Sequence, residues 1–141
     1  MKHFAAVLFL LLMDYYTHAQ NKVTAEVENF KNNQGICKAC IFQTAASFEK
    51  MNALQCINTS VKDNRAVFTF SGLPDGTYSI FVFHDVNNNN KLDKNFFGIP
   101  KEGYGASGNK LPFAAAPKFS ENKFVLANQS SVQLKIRLRN I

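Results

Sequence analysis

The chain has no tryptophan, and only three histidines and three cysteines among 141 residues. His3 and His18 lie in the N-terminal stretch, so His84 stands alone in the rest. A centre needing two imidazoles, such as a multi-histidine zinc site, is excluded there. No Ser occupies a nucleophile-elbow pattern, and no Gly-rich phosphate loop occurs. Clusters of like charge are also missing. The 16 Lys and Arg against 10 Asp and Glu give +6, but the lysines are scattered one or two at a time. Such spacing reads as a solvated surface, and nucleic acid is not expected as a partner.

Only one long apolar run exists, Phe4 to Met13. It is about half the length that spans a bilayer. Lys2 and His3 precede it, and Thr17-His18-Ala19 supplies small residues before a cut after Ala19. The expectation is a signal peptide over 1–19 and a single domain over 20–141. The product is secreted or periplasmic, with no transmembrane segment after cleavage. Lys2 and Asp14 leave together, so the charge stays at +6.

Cys37-Lys38-Ala39-Cys40 matches C-x-x-C, but it sits in GICKACIF, which reads as a strand. Strand residues three apart lie about 10 Å from each other on opposite faces. A disulfide needs Cα atoms within roughly 7 Å, so these two do not pair. An exported chain with three cysteines most simply forms one bridge, expected as Cys40–Cys56, with Cys37 in the core beside Ala39 and Ile41.

Alternation defines most of the remaining strands. Lys22 to Phe30 places Val23, Ala25 and Val27 on one side, and Ile36 to Gln43 follows a polar turn, so the two read as a hairpin. Thr44 to Leu54 has helical spacing with Thr44 as cap, giving one short helix at most. Gln55 to Val61 and Arg65 to Ser71 are strands, and Pro74-Asp75-Gly76 makes a tight turn. Thr77 to His84 is apolar on both faces and is expected to be the central strand. Some 35 residues without alternation follow, a length that usually carries function. Lys123 to Ala127 and Ser131 to Arg139 close the chain. The fold class expected is all-β, an antiparallel seven-stranded β-sandwich.

Asp85, Asn87, Asn89, Lys91 and Asp93 stand at relative positions 1, 3, 5, 7 and 9 of a calcium-type loop, Lys91 contributing its carbonyl. Asn90 replaces the Gly of position 6 and Phe96 the acid of position 12. With two carboxylates, weak Ca²⁺ binding of roughly 10⁻⁴–10⁻³ M is the most expected. Glu102 and Asp75 are outside ligands to consider. The competing reading is an Asn/Asp turn bonded to its own backbone. Phe96, Phe97, Tyr104 and Phe113 offer aromatics for a surface, with Phe97, Glu102 and Tyr104 as the expected contact with a protein or glycan at the cell envelope. An alternative is a hydrolase-like cluster of His84, Asp85, Glu102 and Tyr104. Strand neighbours point oppositely, however, so His84 and Asp85 do not form a catalytic pair.

The stretch GLPDGTYSIFVFHDVNNNNKLDKNFFGIPKEGYGASGN resembles the hallmark of an exported bacterial family, domain of unknown function 2141. The matching positions are Gly72, Leu73, Pro74, Gly76, Tyr78, Phe83, His84, Asp85, Asn87, Asn89, Leu92 and Asp93. After them come Gly98, Ile99, Pro100, Glu102, Gly103, Tyr104 and Gly105. Ser107-Gly108-Asn109 departs slightly from the family's Ser-Asn segment, and the cysteines are not part of its pattern. The resemblance implies a sandwich of immunoglobulin-like or transthyretin-like outline with no established activity, and fold analogy supplies no function. The leading expectation from the residues is a non-enzymatic binding or structural module.

Overall fold

The computed structural model describes residues 20–141, so the expected leader and its cut lie outside the described residues. In chain order the elements are β1 (Asn21–Glu28), β2 (Ile36–Phe42), α1 (Ala45–Glu49), β3 (Gln55–Ser60), β4 (Arg65–Leu73) and β5 (Gly76–Asp85). After the long loop come β6 (Tyr104–Ala106), α2 (Phe119–Asn122), β7 (Phe124–Leu126) and β8 (Ser131–Arg137). One sheet runs β4-β1-β8 and the other β3-β2-β5-β6, with β7 also paired to β5.

The fold is β-rich, mostly antiparallel and sandwich-like, and it corrects the sequence expectation in four respects. Two short helices form where at most one was expected, the second a single turn, α2, within the stretch that shows no alternation. Among the described residues there are eight strands, because Tyr104-Gly105-Ala106 pairs with Phe81 to Phe83. The pairing is not wholly antiparallel: β8 runs parallel to β1, Lys22 opposite Ser131 through Glu28 opposite Arg137. The expected β1–β2 hairpin does not form either. Asn29 (φ 72°) and Gly35 (φ 69°) turn the chain so that β2 enters the second sheet. Burial is the physical reason. Val23, Ala25 and Val27 and the Cys37, Ala39 and Ile41 set are all fully buried in one cluster, which stacks the two strands across the core instead of pairing them edge to edge.

β5 is buried on both faces, as its composition requires. Tyr78, Ile80 and Val82 enter the cluster between the sheets, while Phe81 and Phe83 enter an outer cluster with Phe42, Phe48 and Tyr104. Leu92 and Leu111 from the long loop pack on that outer cluster. The capping box at Thr44, whose Oγ1 accepts from the Ser47 N–H at 3.1 Å, starts α1 and sets Phe48 over the cluster. Cys40 lies opposite Cys56 in the β2–β3 register and the two form a disulfide. Cys37 is a buried free thiol, and desolvation pushes its pKa far above the ordinary value, so it stays protonated.

The C-terminal strand stitches the sheets together. Beyond β8, Tyr104 and Arg139 exchange backbone bonds at 3.1 and 2.8 Å, tying the edge strand β6 to the other sheet. Gly105 permits this approach, since a Cβ there would sit 2.8 Å from the Ile136 Cγ2.

Candidate functional site

β5 ends in His84 and Asp85, and the loop that follows is built on the Asp85 carboxylate. Asp85 is fully buried; its Oδ1 accepts from the Asn89 N–H at 3.0 Å and its Oδ2 from the Asn90 N–H at 2.7 Å. Asn87 Oδ1 accepts from the Asn89 N–H, and Asn89 Oδ1 from the Lys91 N–H. These successive Asx turns wind the chain tightly. Asn88 (φ 56°) and Asn90 (φ 61°) adopt left-handed backbone, which Asn tolerates better than most residues. Asn90 thereby serves where glycine is usual.

The winding brings positions 3, 5 and 9 together. Asn87 Nδ2 donates to Asp93 Oδ2 at 2.8 Å and Asn89 Nδ2 to Asp93 Oδ1 at 2.9 Å. Those amide donors, first Asn89 and then Asn87, hold the Asp93 carboxyl below the usual carboxylate range, and Lys101 and Lys91 add to the effect. A carboxyl whose folded-state pKa is lowered contributes stability above its unfolded pKa of about 3.9, and that contribution is lost as pH falls through the lower folded value. We therefore expect the side-chain amide signals of Asn87 and Asn89 to shift together only in strong acid, below about pH 4. Movement of those signals near neutral pH would refute this arrangement.

Glu102 closes the loop from behind. Its Oε1 accepts from the Val86 N–H and its Oε2 from the Asp93 N–H, both at 3.0 Å. The Lys101 N–H donates to the Asp93 carbonyl at 2.7 Å, and the His84 N–H to the Gly103 carbonyl at 2.8 Å. Glu102 is a latch between the two ends of the loop, buried rather than presented. Glu102→Gln places an amide NH₂ against one of these N–H donors. The expected cost is about 1–2 kcal/mol in chemical denaturation; a cost below about 0.5 kcal/mol, the range of ordinary surface changes, would contradict the latch.

The other residues singled out in the sequence disperse. His84 is buried, its ring donates from Nε2–H to the Gln34 carbonyl at 2.7 Å, and Phe30 meets it edge-on at 5.0 Å. Tyr104 is buried against Phe81 in the outer cluster, on the opposite face of β5. His84, Asp85, Glu102 and Tyr104 thus do not converge, and each is engaged in holding the fold. Asp75 lies at the far end of β5, roughly 30 Å from Asp85 along the strand, where it accepts from Asn21 Nδ2 and the Asn128 N–H. Of the residues expected to face a partner, Phe97 is exposed, at 82%, and Glu102 and Tyr104 are not. Its neighbour Phe96 is 97% exposed and Phe113 fully so.

A groove of about 410 Å³ between the C-terminal strand and the 109–111 segment has no counterpart in the sequence patterns. Asn29, Asn109, Arg137, Arg139 and Asn140 line it. Most of its polar groups are already engaged. Arg139 donates to the Pro112 and Leu111 carbonyls, and Asn109 bridges the Arg137 N–H and the Lys135 carbonyl. These bonds fasten the long loop to β8. Among the described residues, no three His, Cys, Asp or Glu side chains gather as a metal site, so a cation at the Asp85–Asp93 loop would depend on amide and carbonyl oxygens as well.

The family model of domain of unknown function 2141, described as an uncharacterized protein conserved in bacteria, matches residues 25–134. The chain belongs to this family. The match runs from within β1 into β8 and so includes both sheets and the entire Asp85–Gly105 unit. Comparisons with curated proteins and with solved structures return no match.

Proposed function

We propose that this member of the family is a binding module of the cell envelope or exterior, without catalytic chemistry of its own. In it the Asp85–Asp93 loop takes Ca²⁺ weakly and fixes the hairpin of residues 94–100, closed by the Lys94–Pro100 bridge, toward a partner. One observation carries the reading: Asn87, Asn89 and Asp93 converge on one point while Asp85 anchors the winding from inside. A half-turn of each carboxamide exchanges its nitrogen for its oxygen, giving an oxygen set with Asp93 at the expense of two Asx-turn bonds. Asp85 keeps lone pairs to spare, since each of its oxygens accepts one bond in the loop. The Lys91 carbonyl completes the expected donors. Hard oxygen donors at this spacing suit Ca²⁺, and the latch at Glu102 limits the ordering that binding requires. Support for an extracytoplasmic location comes from the N-terminal leader pattern and from the disulfide, which persists in oxidising compartments.

Backbone amide resonances test the reading. Titrating Ca²⁺ should shift Asn89, Asn90 and Lys91 with half-saturation near roughly 10⁻⁴–10⁻³ M, while Mg²⁺, which dehydrates reluctantly, leaves them in place. Equal small shifts with both ions, spread over the surface, would reject an ion site and leave a self-bonded turn.

A further inference from the structure

Beyond the loop, residues 94–100 form a short hairpin tip held by its own hydrogen bonds. Lys94 bridges to Pro100, the Asn95 N–H donates to the Ile99 carbonyl at 2.8 Å, and the Gly98 N–H to the Asn95 carbonyl at 3.0 Å. Asn95 Oδ1 accepts from both the Phe97 and Ile99 N–H groups, at 2.9 and 3.0 Å. Four backbone N–H groups of the tip, those of Asn95, Phe97, Gly98 and Ile99, are thus bonded within it, and its apolar side chains stand exposed. Those side chains are Phe96 and Phe97, whose rings meet edge-on at 5.5 Å, and the half-exposed Ile99.

Scattered exposed apolar residues are ordinary, but two phenylalanines locked side by side on a projecting turn are not scattered. Lys91, Lys94 and Lys101, close to them in sequence, are exposed. Of the acids of the same stretch, Asp85 is fully buried and Glu102 is 8% exposed, while Asp93, bonded to the amides of Asn87 and Asn89 and offset in part by Lys91 and Lys101, is one negative charge against three positive ones. The outer surface of the unit is therefore cationic with an aromatic point. Size decides among occupants. A stable protein interface buries about 800 Å² on each side, whereas two Phe side chains offer at most about 250 Å² each. An interface that yields to a narrow apolar tip and attracts lysines is that of a bilayer with anionic headgroups.

We propose that the 94–100 tip inserts into anionic lipid surfaces, with Phe96 and Phe97 entering the headgroup–acyl boundary and Lys91, Lys94 and Lys101 meeting the headgroups. The inference names the partner of the hairpin in the preceding reading; it rests on the envelope location given there and not on calcium. Residues 20–141, which carry all the strands described and both hydrophobic clusters, are sedimented with phosphatidylcholine vesicles with and without phosphatidylglycerol, in EDTA so that ion binding plays no part. Binding to the anionic vesicles is expected, weakening with added salt. Phe96→Ser/Phe97→Ser should reduce it at least about tenfold, and Lys94→Gln and Lys101→Gln about fivefold each. Unchanged melting of these variants confirms the fold. Because the chain has no tryptophan, Phe97→Trp is a clean reporter, and its emission should move to the blue on vesicle addition. Wild-type protein left in the supernatant at both compositions, or a double Ser variant that sediments like wild type, overturns the proposal.

Discussion

Gly35→Ala is expected to destabilise the domain by about 3 kcal/mol or more, one of the largest effects of any single methyl group here. Two costs combine. Gly35 holds φ +69°, a left-handed conformation that costs an L-residue with a Cβ about 1–2 kcal/mol. A Cβ would also press into the carbonyls of Asp85 and Val86, reaching 2.7 Å from the latter oxygen. Backbone atoms at the end of the central strand cannot step aside as a flexible side chain does. Thermal melting should fall by about 10 °C. Since the obstructed carbonyls belong to the start of the loop, the Asn89 and Asn90 amide signals should move as well. A variant melting within about 2 °C of wild type would mean that the β1–β2 connection does not lie against Asp85.

Removing the disulfide ranks beside it. The Cys40–Cys56 bridge closes a loop with a sequence separation of 16, for which chain-entropy arguments give about 3 kcal/mol. Cys40→Ala/Cys56→Ala should therefore melt about 10 °C lower than the oxidised protein, and wild type under reductant should match it. The bridge joins β3 to β2, its one strand partner among the described residues. Loss of protection should accordingly start in residues 55–60. If reduction leaves the melt unchanged, the two cysteines are not bonded in the folded protein.

Where one face of a strand is buried, the sequence spells it out. Val23, Ala25 and Val27 in β1, and Ala66, Phe68 and Phe70 in β4, alternate because one side of each meets the core. β5 stood out as central because it is apolar on both faces, and both faces are covered. Alternation says which side chains turn inward but not which strand lies alongside. The parallel β1–β8 pair and the separation of β1 from β2 were invisible for that reason. β6 is not legible in the sequence because three residues containing a glycine cannot display a period.

The candidate site divides along similar lines. Spacing within nine residues announced the loop, because Asx turns are local chemistry. The duty of Glu102 was not legible, since a latch and a ligand are the same residue until its partners are known. Nor does any pattern separate the exposed Phe96 and Phe97 from Tyr104, which lies beyond the same non-alternating stretch and is buried. Only the hydrogen bonds of Asn95, which turn the chain outward, make that difference.

Thermal melts in EDTA and in millimolar Ca²⁺, run on residues 20–141 beside an Asp85→Asn/Asp93→Asn variant, test the central claim most directly. At ten times the Kd, binding to the folded state alone adds about 1.4 kcal/mol, or about 3–6 °C for a domain of this size. The account predicts that rise in wild type and none in the variant, whatever the variant's own starting stability. Coincident wild-type melts in the two conditions would contradict it, leaving Asp85 and Asp93 as the internal fastenings of a turn.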